Sequence, residues 1–178
     1  MRHSLSLVAR GAAIAAALGA LVLPSAAPAA TATGSFQVTA NVTATCLVSS
    51  TSNVAFGAYD TTVATNLQAT GTVSVTCTRN TAITSIDLNL GVNASGATRR
   101  MTDGTDFITY ELYRPASAVP GAACAYTAVW GSGAVNGLVP AAAPSNAART
   151  FNVCGQTTQG QNVGAGSYAD TVTVTVNY

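Results

Sequence analysis

The chain of 178 residues contains no lysine, and its single histidine is His3. If His3 leaves with a cleaved leader, the mature protein lacks both the commonest general base and the commonest metal ligand. Carboxylates offer little in their place. Of Asp60, Asp87, Asp103, Asp106, Asp170 and Glu111, only Asp103 and Asp106 are close in sequence, and in "TDGTDF" they read as turn formers. No CxxC spacing is present, and without histidine there is no zinc constellation. We therefore expect no enzyme, no metal site and no cofactor. Charge is sparse too, at 7% of residues. Beyond the leader, Arg79, Arg99, Arg100, Arg114 and Arg149 face six acids, a net of −1. A near-neutral surface gives no electrostatic reason to bind nucleic acid or anionic lipid. The adjacent Arg99 and Arg100 read as part of a solvated loop.

Long apolar runs are also missing. The longest, Gly11–Leu23, falls short of the ~20 residues needed to span a bilayer. Arg2, His3 and Arg10 precede it, and the small residues of "PSAAPAA" follow it. This is the pattern of a bacterial-type secretory signal, cleaved after Ala29 or after Ala32. We assign residues 1–29 to the signal and expect no membrane span in the mature form. Residues 30–178 suit a single domain.

What the chain does have is four cysteines, Cys46, Cys77, Cys124 and Cys154. An even number in an exported chain implies disulfides, with three connectivities open. Sequential pairing would close two loops of about 30 residues, each contributing roughly 3–4 kcal/mol.

It also has short alternating stretches rich in Val, Thr, Ile and Tyr, separated by Gly, Asn, Ser and Pro clusters. They are 35–44, 71–78, 84–92, 107–114, 125–131, 148–155 and 171–178. That spacing indicates an all-β antiparallel sandwich. The segments 49–53, 93–100, 115–123, 140–148 and 156–166 read as loops. Trp130 shares a face with Tyr126 and Ala128, which favours a core position; the other reading is a sugar-stacking platform.

The last stretch, "TVTVTVNY", places Val172, Val174, Val176 and Tyr178 on one side and Thr171, Thr173, Thr175 and Asn177 on the other. It carries no charge, proline or bulge signal to protect its edge, so something should cover that edge. One candidate is "TGSFQVTANVTA" (33–44), where Phe36, Val38, Ala40, Val42 and Ala44 alternate with polar residues. Two readings are open. The segment is either the first strand of its own sandwich or an arm that fills the groove of a neighbouring copy by β-augmentation. Burying a Phe and two Val would stabilise by roughly 5–9 kcal/mol before ordering costs, comparable with the net stability of a whole domain.

The alternating segment up to Cys46, "VAFGAYD" (54–60), "GTVSVTC" (71–77), "ITYELYR" (108–114), "VWG" (129–131) and "GQNVGAGSYADTVTVTVNY" (160–178) together resemble the spore coat protein U domain family. That family includes subunits of archaic chaperone–usher pili. The Gly166–Tyr178 pattern carries most of the likeness. The resemblance implies an immunoglobulin-like sandwich that lacks its final strand, with an N-terminal donor-strand extension. Residues 30–45 would be the arm and 46–178 the domain. Phe36, Val38, Ala40 and Val42 would be donor anchors, and Val172, Val174, Val176 and Tyr178 the strand bordering the acceptor groove. It further implies a Cys46–Cys77 bridge near the arm's root. Less directly, it implies a Cys124–Cys154 bridge, unless Cys154 pairs between subunits. The implied partners are a periplasmic chaperone, an outer-membrane usher, and other pilin subunits or further copies of this chain. The implied destination is the cell surface or an extracellular fibre, with adhesion or biofilm as the associated role. Two alternatives stand beside it: a secreted carbohydrate- or surface-binding module, and a spore or cyst coat protein.

Overall fold

The computed structural model describes residues 28–178, so the proposed signal lies almost wholly outside the described residues. Residues 28–45 form no strand, although 35–44 alternate as a strand would. Phe36, Val38 and Val42 are 88%, 83% and 78% exposed, and Ala40 is exposed as well. An alternating pattern makes a segment capable of pairing but does not supply the partner.

The folded body is almost entirely β-structure. Its strands are β1 (Cys46–Ser52), β2 (Asn66–Cys77), β3 (Ser85–Leu88), β4 (Arg99–Thr102), β5 (Phe107–Pro115), β6 (Cys124–Val129), β7 (Arg149–Thr158) and β8 (Val174–Asn177). A single helical turn, α1 (Gly133–Asn136), interrupts them. The larger sheet is antiparallel in the order β1-β2-β7-β5-β4. There β4 lies along the first half of β5, and β6 along its second half. The second sheet holds only β3 and β8, also antiparallel, with Ile86 opposite Val176 and Leu88 opposite Val174.

Between the sheets lies a core of Val73, Val75, Ile83, Ile86, Leu88, Leu112, Trp130, Leu138, Phe151 and Val153. Within β2, β3 and β7 the core residues recur at every second position, because a strand sends successive side chains to opposite faces. Trp130 is 0% exposed, and its Nε1–H donates to the Ile86 carbonyl at 2.7 Å. The sugar-stacking reading of Trp130 is therefore corrected: an indole enclosed on both faces has no surface to offer a glycan.

The loop reading of Arg99 is corrected too. Arg99 is fully buried in β4 and forms an ion pair with Glu111 of β5. Its Nη2 donates to the carbonyls of Trp130 at 2.7 Å and Asn89 at 2.9 Å. Five donors in a planar fork let one guanidinium tie three segments together, which sequence context alone does not reveal. Its neighbour Arg100 stays at the surface side, with its guanidinium 4.1 Å from the Phe107 ring centre. β1 also falls partly in a stretch read as a loop, 49–53. Its "CLVSSTS" is polar because every residue after Cys46 is exposed on an edge strand. Asp103 and Asp106 do sit in the β4–β5 turn, where Asp103 Oδ1 accepts the N–H groups of Asp106 at 2.8 Å and Thr105 at 2.9 Å.

Disulfides join Cys46 to Cys77 and Cys124 to Cys154. The first fastens the start of β1 to the end of β2. The second ties β6 to β7. Among the described residues, no helix is long and apolar enough to cross a membrane.

Candidate functional site

The most distinctive feature of the body is a groove bounded by two open strand edges. On one side, β1 pairs only with β2 among the described strands. On the other, β8 pairs only with β3. The β8 side can be read residue by residue. The carbonyls of Thr171, Thr173 and Asn177 accept bonds from Val92, Asn89 and Thr84, on the β3 side. Backbone groups alternate in direction along a strand, so the N–H and C=O groups of Val172, Val174 and Val176 point to the opposite, open edge. Their side chains meanwhile pack against the core and remain half-buried. Tyr178 lies past the end of β8 and is 55% exposed.

The groove deepens beyond the end of β1. A cleft of about 520 Å³ has one wall from Thr51 to Phe56 and the other from Tyr168 to Val174. Its floor includes Val73, Leu88, Leu112 and Val153, which are themselves members of the core. These four side chains are themselves buried, so the hydrophobic interior lies directly beneath this cleft. A second cleft, of about 670 Å³, continues between residues 54–61 and 163–168 over Met101 and Ile108. The two share Val54, Ala55, Phe56, Met101 and Tyr168 as lining. They run into one another at these residues and form one trough, with Thr51 and Ser52 of β1 and Val174 of β8 at one end.

Local sequence explains the walls. Val54 and Phe56 lie close over Gly71 and Gly155 of the large sheet. A Cβ at Gly155 would stand 2.3 Å from Val54 Cγ1 and 3.1 Å from Phe56 Cζ, so only glycine lets this wall seat so deeply. Tyr59 then pins the loop, its hydroxyl donating to the Thr158 carbonyl at 2.7 Å and accepting the Gln161 N–H at 3.0 Å. The facing wall is tied at Ala169, which exchanges backbone bonds with Thr102 of β4 at 3.0 Å.

The Tyr110 hydroxyl donates to Asp170 Oδ2 at 2.6 Å, and burial, followed by this carboxylate, pushes its pKa well up. Nothing in the trough resembles a nucleophile with an adjacent base. Among the described residues, no group of three His, Cys, Asp or Glu side chains is placed to hold a metal ion. What the arrangement can do is accept backbone. It presents unpaired N–H and C=O groups on both rims and apolar side chains below.

A model of the Spore Coat Protein U domain matches residues 32–175. The chain belongs to the Spore Coat Protein U domain family. It is 31% identical to Protein U of Myxococcus xanthus, over 91% of this chain and 93% of that protein. Among solved structures it is similar to a chain in the CsuC–CsuE chaperone–tip adhesion subunit pre-assembly complex from archaic chaperone–usher Csu pili of Acinetobacter baumannii. That similarity has a TM-score of 0.48 and 23% identity, covering 77% of this chain and 40% of the other. The chain thus spans less than half the length of that relative.

Of the residues singled out in the sequence, Val172 and Val174 line the trough, Val176 continues the same open edge beyond it, and Cys46 and Cys77 anchor β1. The donor candidates Phe36, Val38, Ala40 and Val42 are exposed and lie outside every strand. Val54, Phe56, Met101, Tyr110 and Asp170 were not singled out as lining. Each is unremarkable in its local stretch, and only the topology brings them to one place.

Proposed function

We propose that this protein is a secreted structural subunit that polymerises by donor-strand complementation, the 33–44 segment of one copy entering the trough of the next. The observation that carries this reading is the open β8 edge beside a cleft floored by the hydrophobic core. An incoming strand would satisfy the outward N–H and C=O groups of Val172, Val174 and Val176. Its alternate side chains would cover Val73, Leu88, Leu112 and Val153. Phe36, Val38, Ala40 and Val42 have the required alternation and are exposed. Family membership supports the same reading.

In this account the subunit is exported through the periplasm, held there by a chaperone that lends a strand, and passed to an outer-membrane usher for assembly at the cell surface. It is not an enzyme. A coat of a resting cell, assembled by the same exchange, is the second reading, and the family description favours it as a setting. The assembly chemistry does not distinguish the two, but immunolabelling of growing against resting cells does.

The test is deletion of residues 30–42 from the exported chain. We expect disulfide-bonded subunits, held folded by the chaperone, that form no fibres. Fibres of normal length and yield would overturn the proposal.

A further inference from the structure

Tyr110 stands between the two walls of the trough. Its ring meets Phe56 of one wall edge-on, with centroids 6.4 Å apart and planes at 60°. Its hydroxyl reaches Asp170 of the facing wall at 2.6 Å. Both walls are otherwise loop segments, 53–59 and 168–172, that precede or follow strands and belong to different edges.

The Asp170 end of this link is fixed by further contacts. Oδ1 accepts the Asn93 N–H at 3.1 Å and its Nδ2–H at 3.0 Å, while Asn93 Nδ2 also donates to the Ala169 carbonyl at 3.2 Å. Gly91, at φ +87°, lies directly beneath the carboxylate. A Cβ there would fall 1.8 Å from Asp170 Oδ2, so no other residue leaves the acid in place. The Phe56 end is held by the Gly155 seat and the Tyr59 bonds already described. A carboxylate accepting three bonds is a strong, directional anchor for the phenol.

We infer that Tyr110 is a cross-brace that holds the two walls of the trough in place before a strand arrives, with Asp170 as its positioning partner. The inference rests on the reading of the trough as a strand acceptor. A site whose walls are already held takes up its ligand without first ordering them. Once a strand is seated, its ladder bonds to both rims hold the walls in place, and the brace becomes redundant. Loss of the brace therefore slows capture more than it speeds release.

The test uses the full chain and a fluorescent synthetic peptide of residues 33–44. Tyr110→Phe keeps the ring against Phe56 and removes only the hydroxyl; Asp170→Asn is a second, independent variant. We expect both to take up the peptide about tenfold more slowly than the wild type, the scale of one charge-assisted hydrogen bond, with release rates unchanged. The peptide-filled forms should melt at the wild-type temperature. Equal association rates for wild type and variants would overturn the brace alone. An equal drop in melting temperature for filled and peptide-free forms, with release accelerated, would make Tyr110 a general stabiliser and overturn it too. If the wild-type chain takes up no peptide, the acceptor reading itself falls, and the brace with it.

Discussion

Cys46 stands directly opposite Cys77 in the β1–β2 ladder, and their disulfide crosses a Cα–Cα gap of 4.1 Å. The bond therefore ties the first residue of the groove's rim strand to the end of a central strand. β1 buries little of its own: every residue after Cys46 is exposed. Its hold on the body depends on the ladder and on this link.

Replacing both cysteines by serine should lower stability to denaturant by about 3 kcal/mol. Amide exchange should speed up first in residues 46–52, ahead of the rest of the large sheet. Exchange that rises evenly across all strands would show that the bridge supports the whole body rather than this rim.

Trp130→Ala should destabilise by about 3–5 kcal/mol, as expected for a large side chain removed from a packed core. Trp130→Phe keeps most of the volume and loses the bond to the Ile86 carbonyl, so it should cost less. Glycan-array signals should be the same for the wild type and the folded Phe variant. A glycan signal lost in that variant would restore the stacking role.

Arg99→Met leaves the Glu111 carboxylate without its cation, and the Trp130 and Asn89 carbonyls without their donor. Removing one member of a buried pair typically costs about 3–5 kcal/mol. The double variant Arg99→Met/Glu111→Leu should recover part of that loss in urea unfolding. No recovery would mean that the carbonyl bonds, and not the ion pair, dominate.

The Asp103 carboxylate accepts backbone N–H groups first from Asp106 and then from Thr105, and these hold its pKa below the ordinary aspartate range. A depressed pKa in the fold means that the turn's contribution is present above the unfolded-state value and lost as pH falls through the folded one. Carboxyl shifts followed by NMR should give Asp103 a midpoint below that of an unstructured aspartate. A midpoint at or above it would contradict the turn geometry.

Much of this was legible in the sequence, for identifiable reasons. The stretches around Val73, Ile86, Ile108, Tyr126, Phe151 and Val174 alternate because one face meets the core, and all six became strands. β4 was hidden because "RRMT" is short and charged, and Arg99 is buried through Glu111 and carbonyls contributed by other segments. The 35–44 stretch alternates as cleanly as any other yet forms no strand, since alternation encodes a face and not a partner. The Gly166–Tyr178 motif pointed to one rim of the trough. The opposite wall at Val54 and Phe56 depends on two glycines, Gly71 and Gly155, that become neighbours only when β2 pairs with β7.

The most direct test of the account is the thermal stability of the chain trimmed to residues 43–178, alone and with a saturating peptide of residues 33–44. We predict a marginal fold by itself and a rise in melting temperature of roughly 10 °C or more with the peptide. A trimmed chain that is soluble, monomeric and heat-resistant on its own, and indifferent to the peptide, would contradict the claim that its sandwich is completed from outside.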